Sequence, residues 1–203
     1  LAAVDRLVPG DPSSAAILLV AALLVPGSEV TVEDVCLNPS RIGLFRILER
    51  MGARIDGLPS QDPDPLDAEP IGPLTARHSS LVATDVGADE VPSAIDELPL
   101  LALAAAFADG TTTVTGAEEL RVKETDRVET VVGALTAVGG TVEALEDGFV
   151  VEGGAGLHGG VVDSHGDHRL AMLGAVAGLA SSTEVAVRGF DAAAVSYPGF
   201  ADD

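Results

Sequence analysis

The stretch Gly10-Asp11-Pro12-Ser13-Ser14-Ala15-Ala16-Ile17-Leu18-Leu19-Val20-Ala21-Ala22-Leu23-Leu24-Val25-Pro26 decides how the rest of the chain is read. From Ala15 to Val25 it is unbroken apolar sequence, about three helical turns long. A helix that is apolar nearly all round belongs inside a globule, not on its surface. The aspartate ahead of it can accept the free N–H groups of the first turn and suits the positive end of the helix dipole. The same setting recurs twice. Leu98–Ala108 follows Ile95-Asp96-Glu97, and Leu170–Ala180 follows Gly166-Asp167-His168-Arg169. Each run ends in small or turn residues and leads into a β-branched stretch: Glu29–Val35, Thr111–Thr115 and Thr183–Val187.

The leading aspartates stand 85 residues apart (11 to 96) and then 71 (96 to 167). That spacing is too long for most solenoids and suits one supersecondary unit used three times. Two units continue with an amphipathic helix, Ile42–Met51 and Asp126–Val138, each stopped by glycine. Strands are expected next at Ala53–Ile55, Thr141–Ala144 and Gly148–Val151. In the third unit the second helix is expected to begin near Ser196-Tyr197-Pro198. Leu58–Pro73, rich in proline and aspartate, reads as a loop. The predicted class is α/β: one globule of three repeats at about 11–85, 86–155 and 156–203, the third short.

Composition narrows the function classes. The 203 residues suit one domain or two small ones. Eleven basic residues against 32 acidic ones give a net charge of −21, which argues against nucleic acid or an anionic membrane as partner. A hydrophobic fraction of 47% argues against a disordered acidic tail. Aromatics are only 3% and Trp is absent, so Ala, Val and Leu must build the core. The single cysteine, Cys36, excludes an intrachain disulfide, suits a reducing compartment and reads as a buried apolar residue. No signal peptide is legible and the apolar runs are shorter than a membrane span, so a cytoplasmic location is expected. Both ends read as cuts in a longer protein.

In so acidic a chain the cations are informative. The only lysine, Lys123, lies in Arg121-Val122-Lys123-Glu124-Thr125-Asp126-Arg127. On a helix, Lys123 and Arg127 would be neighbours on one face and could clamp a phosphate or carboxylate. The alternative is a solvated helix start with salt bridges to Glu124 and Asp126. Arg169, at the start of the third apolar run, could complete an anion site or stand on the surface. Asp96 and Glu97 could serve as acid and base, or as a helix cap and first-turn charge. His165, Asp167 and His168 make a poor metal set, and no metal is expected. Gly153–Gly160 lacks the strand–loop–helix setting of a nucleotide loop.

Arg121–Arg127 and Asp167-His168-Arg169-Leu170-Ala171-Met172 resemble the two signature segments of the 5-enolpyruvylshikimate-3-phosphate (EPSP) synthase family. Pro9–Ala15, Asn38-Pro39-Ser40-Arg41 and Ile95-Asp96-Glu97 resemble it in the same order. UDP-N-acetylglucosamine enolpyruvyl transferase, a sister family, shares the fold but not the Arg121–Arg127 run. The resemblance implies two similar globules, each of three βαβαββ units around buried parallel helices. This chain would be the C-terminal one, with residues 1–10 at the hinge. It implies transfer of the enolpyruvyl group of phosphoenolpyruvate to the 5-hydroxyl of shikimate 3-phosphate, with no cofactor. Carried over by motif, Asp96 and Glu124 would act in proton transfer. Asp96 and Lys123 would contact the shikimate, and Lys123, Arg127 and Arg169 would contact phosphoenolpyruvate. The contacts of the N-terminal globule would be missing, and such a fragment alone would be inactive. A non-catalytic domain that binds an anion or a partner protein is the alternative.

Overall fold

Three apolar helices form the centre of the computed structural model, which describes residues 8–59 and 69–203. They are α1 (Pro12–Leu24), α4 (Leu98–Ala105) and α6 (His168–Ala180), and they pack on one another. Leu19, Leu23, Leu98, Leu101, Leu103, Leu170 and Leu173 are fully buried at their contacts, with alanines filling the spaces between. Small side chains let helices approach closely, which is how a core with few aromatics reaches interior density.

The first unit follows α1 with β1 (Glu29–Cys36), α2 (Gly43–Arg50), β2 (Arg54–Asp56) and β3 (Ile71–Arg77). Its sheet runs β1-β3-β2, antiparallel throughout, and Gly10 adds a single parallel bridge to Val35 of β1. The second unit is β4 (Asp85–Val86), α3 (Val91–Ala94), a 3-10 turn at Ile95–Glu97, α4, β5 (Thr111–Val114), a 3-10 turn at Glu118–Val122, α5 (Arg127–Ala137), β6 (Thr141–Leu145) and β7 (Gly148–Glu152). Its sheet runs β4-β5-β7-β6, with β4 parallel to β5. Gly10 thus plays for β1 the part that β4 plays for β5, and both units have the same order. The third unit supplies β8 (Gly160–Asp163), α6 and β9 (Val185–Arg188), with β8 and β9 parallel, then a 3-10 turn at Phe190–Val195.

Four expectations change. Ile71–Pro73 belongs to β3 and not to a loop; most of the rest of that expected loop, residues 60–68, lies outside the described residues, as do residues 1–7 of the expected hinge. The second amphipathic helix begins at Arg127, so Lys123 and Arg127 do not share a helix. Asp11 and Asp167 cap α1 and α6, but Asp96 lies within its 3-10 turn and caps nothing. Around Ser196–Pro198 the chain forms turns instead of a new helix. Among the described residues no helix is long and apolar enough to cross a membrane.

Candidate active site

The three central helices begin at one end of the globule, and each start contributes charged side chains to one connected cluster. Asp11 caps α1, accepting from the N–H groups of Ser13 and Ser14. Asp167 caps α6 and accepts from the Arg169 N–H at 2.8 Å. Before α4 the 3-10 turn sends Asp96 and Glu97 in different directions, Asp96 outward and Glu97 into the interior, where it is 4% exposed.

Arg127 is the anchor of the cluster. Its side chain is 1% exposed, and its fork reaches three carboxylates. Nε donates to Asp167 Oδ2 at 2.8 Å, Nη2 to Glu124 Oε2 at 2.6 Å, and Nη1 lies 3.5 Å from Asp96 Oδ1. Asp167 is wholly buried, and burial alone would push its carboxyl up. The Arg127 hydrogen bond and charge, with the Arg169 N–H, outweigh burial and hold it below the ordinary aspartate value.

Lys123 follows the 3-10 turn Glu118–Val122. Its Nζ lies 2.6 Å from Glu119 Oε1 and 3.5 Å from Asp96 Oδ1. Those partners, Glu119 foremost, push the ammonium pKa up and keep it charged. Arg169 places Nη2 3.5 Å from Asp96 Oδ2 and donates from Nη1 to Glu97 Oε1 at 3.2 Å. Asp96 therefore faces three cations, from two different units. Glu97 also accepts from Ser13 Oγ at 2.5 Å, and burial raises its pKa above the usual glutamate value. Arg41 closes the far side, donating to Asp11 at 3.3 Å and to Ser13 Oγ at 3.2 Å.

All five residues singled out from sequence, Asp96, Lys123, Glu124, Arg127 and Arg169, meet here. Of the two readings of the Arg121–Arg127 run, the salt bridges are present, though with other partners in part. Glu124 does pair with Arg127, while Asp126 pairs with Arg121 at 2.9 Å and caps α5. Arg169 is not a free surface residue. Sequence reasoning missed Asp167 as the seat of Arg127, and it missed the inward turn of Glu97 with Ser13 and Arg41 behind it. No spacing rule links residues 40 or 84 positions apart. Among the described residues no group of three or more His, Cys, Asp or Glu is placed to hold a metal ion.

Chemically, the cluster is a set of fixed cations held by carboxylates of two kinds. Asp167 and Glu97 are buried and permanent. Glu119 and Glu124 are exposed, so an incoming phosphate or carboxylate can take their places on Lys123 and Arg127 without opening the core. Asp96 and Glu124 lie beside those cations and can give or take a proton.

Comparison with known proteins gives a consistent result. The family model for EPSP synthase (3-phosphoshikimate 1-carboxyvinyltransferase) matches residues 1–203. The 3-phosphoshikimate 1-carboxyvinyltransferase of Leuconostoc mesenteroides is 46% identical over 201 residues, which are 97% of this chain and 45% of the relative. That of Roseiflexus castenholzii is 51% identical over 193 residues, 95% of this chain and 44% of the relative. The solved EPSP synthase of Acinetobacter baumannii superposes with a TM-score of 0.87 at 38% identity, covering 96% of this chain and 45% of that one. The enolpyruvyl transferase NikO of Streptomyces tendae, at 20% identity and a TM-score of 0.71, shares the fold. The chain thus spans under half the length of the curated relatives it matches.

Proposed function

The chain belongs to the EPSP synthase family, and from that premise we propose that it supplies one face of an active site that transfers the enolpyruvyl group of phosphoenolpyruvate to the 5-hydroxyl of shikimate 3-phosphate. The observation that carries the reading is the convergence of Lys123, Arg127 and Arg169 on Asp96, with Glu124 on the same guanidinium. Two multiply charged anions must be held together, and these are three of the chain's eleven basic residues.

The reaction is an addition followed by an elimination. A proton is added to the methylene carbon of phosphoenolpyruvate, and the substrate hydroxyl oxygen bonds to the neighbouring carbon while losing its own proton. The carbon–oxygen bond to phosphate then breaks and a proton leaves the new methyl group, so the vinyl ether and inorganic phosphate account for all atoms. Asp96 and Glu124 are the two groups that exchange these protons, and Asp96 also holds the shikimate ring. Lys123 contacts the 5-hydroxyl and phosphoenolpyruvate. Arg127 and Arg169 hold the phosphoenolpyruvate anion and stabilise charge that develops in the transition state. The remaining contacts to both substrates come from a complementary globule, and the enzyme works in the cytoplasm.

Calorimetric titration of both substrates tests the site. With the complementary globule present, Lys123→Ala and Arg127→Ala should each weaken phosphoenolpyruvate binding about tenfold or more, since each removes a charge-assisted contact. Unchanged affinity in both folded variants would contradict the assignment and favour a role outside catalysis.

A further inference from the structure

We infer that Glu97, which takes no part in the transfer chemistry, is a positioning residue that aims the Arg169 guanidinium into the site from behind. The first observation is where it sits. Glu97 is next to Asp96 in the same 3-10 turn, yet it points inward and is 4% exposed, between the starts of α1 and α6. Taking a carboxylate out of water is costly, and an apolar residue of similar size would often be the more stabilising choice. The second observation is what it holds. One oxygen, Oε1, accepts from Ser13 Oγ at 2.5 Å and from Arg169 Nη1 at 3.2 Å.

The contacts divide the guanidinium between two duties. Nη1 is tied to Glu97, while Nη2 lies 3.5 Å from both Ser13 Oγ and Asp96 Oδ2, at the edge of the open site. Arginine has a long side chain with many rotamers, and ordering it at the moment a ligand binds subtracts from affinity. Glu97 orders it beforehand. Ser13 is itself fixed, since its Oγ accepts from Arg41 Nη2 at 3.2 Å. Side chains from the first and second units therefore set the direction of one cation from the third. The inference rests on the transfer reading for the identity of the anion, and on the chain's own contacts for the pinning of Arg169.

The test uses this chain labelled with nitrogen-15, alone for the resonances and joined to its complementary globule for the affinities, with phosphoenolpyruvate and inorganic phosphate as probes. The Arg169 guanidinium resonances are assigned by their loss in Arg169→Lys. They should be discrete and slow to exchange in the unaltered chain. In Glu97→Gln, which keeps the shape and an acceptor for Ser13 but loses the charge, they should broaden, and phosphoenolpyruvate affinity should fall about tenfold. Ser13→Ala, which leaves Glu97 charged but removes the hydroxyl that touches Glu97, Arg41 and Arg169 Nη2, should shift the same resonances with an affinity loss of about threefold. If the resonances and the affinity are unchanged in both variants, Glu97 is merely structural and the inference is overturned. If the unaltered chain joined to its complementary globule binds neither probe while the resonances still depend on Glu97, the pinning stands and the transfer reading fails.

Discussion

At the scale of single residues, the buried pair Arg127–Asp167 carries the site. An arginine 1% exposed has no water to fall back on, so its carboxylates decide whether it is tolerated at all. Asp167→Asn keeps the α6 cap, because asparagine caps as well as aspartate, and so isolates the lost charge. We expect a stability loss of about 3 kcal/mol near neutral pH in urea unfolding, the low end for breaking a buried pair, because Glu124 and Asp96 still face Arg127. The folded-state pKa of Asp167 is depressed below its ordinary value of 3.8. Its contribution is therefore complete above that value and lost as pH falls through the depressed one, so the two proteins should converge in stability below about pH 3.8. Glu97 has the opposite sign. Burial lifts its pKa above 4.5, so its unfavourable contribution appears as pH rises past that value.

At the scale of elements, the central helices were legible because apolar runs behind an aspartate admit few other readings, and α1, α4 and α6 lie where those runs are. The amphipathic helices and the β6–β7 hairpin were legible for the same reason of pattern. What was not legible depended on partners distant in sequence. β3 contains Gly72 and Pro73, which read as loop residues, and yet it is the middle strand of its sheet. The register explains how: Val32 pairs with Leu74 and Val35 with Gly72, so Pro73 faces a bulge at Glu33-Asp34 where its missing N–H leaves no gap in the ladder. Asp34, with φ of 54°, turns its carbonyl to the Gly10 N–H at 2.7 Å, which makes the parallel bridge. In the site, the candidate residues were visible as unusual charges, but their convergence on Asp96 depends on how the second and third units pack. One contact between elements leaves no room for a side chain. A Cβ at Gly43, the first residue of α2, would lie 2.2 Å from Ser93 Oγ and 2.7 Å from the Ser93 backbone. Gly43→Ala should destabilise the chain by about 1–3 kcal/mol in chemical denaturation, despite the better helix propensity of alanine. A neutral result would mean α2 and α3 are not held at this distance.

At the scale of the whole molecule, the charge of −21 and the cationic cluster belong to different regions. In the site four cations, Arg41, Lys123, Arg127 and Arg169, face six carboxylates, Asp11, Asp96, Glu97, Glu119, Glu124 and Asp167, so most of the excess acid lies elsewhere. Like charges repel across the globule, and salt screens them over about 10 Å at 0.1 M. Raising sodium chloride from about 10 mM to about 0.5 M should add about 1 kcal/mol of stability, or about 2–4 °C in Tm for a chain of this length. A lower Tm in high salt would mean that surface pairs such as Arg77–Glu29 outweigh the repulsion.

The same scale decides the central claim, because the chain spans 45% of the relative from Leuconostoc mesenteroides, and one face of a site cannot enclose two anions. The direct measurement is phosphate release from phosphoenolpyruvate and shikimate 3-phosphate by this chain, alone and mixed with the complementary globule. The account predicts no turnover alone and turnover on mixing that Asp96→Asn lowers by at least about a hundredfold, the usual scale for losing a proton-transfer group. Robust turnover by the chain alone, or none in the reconstituted pair, would contradict it.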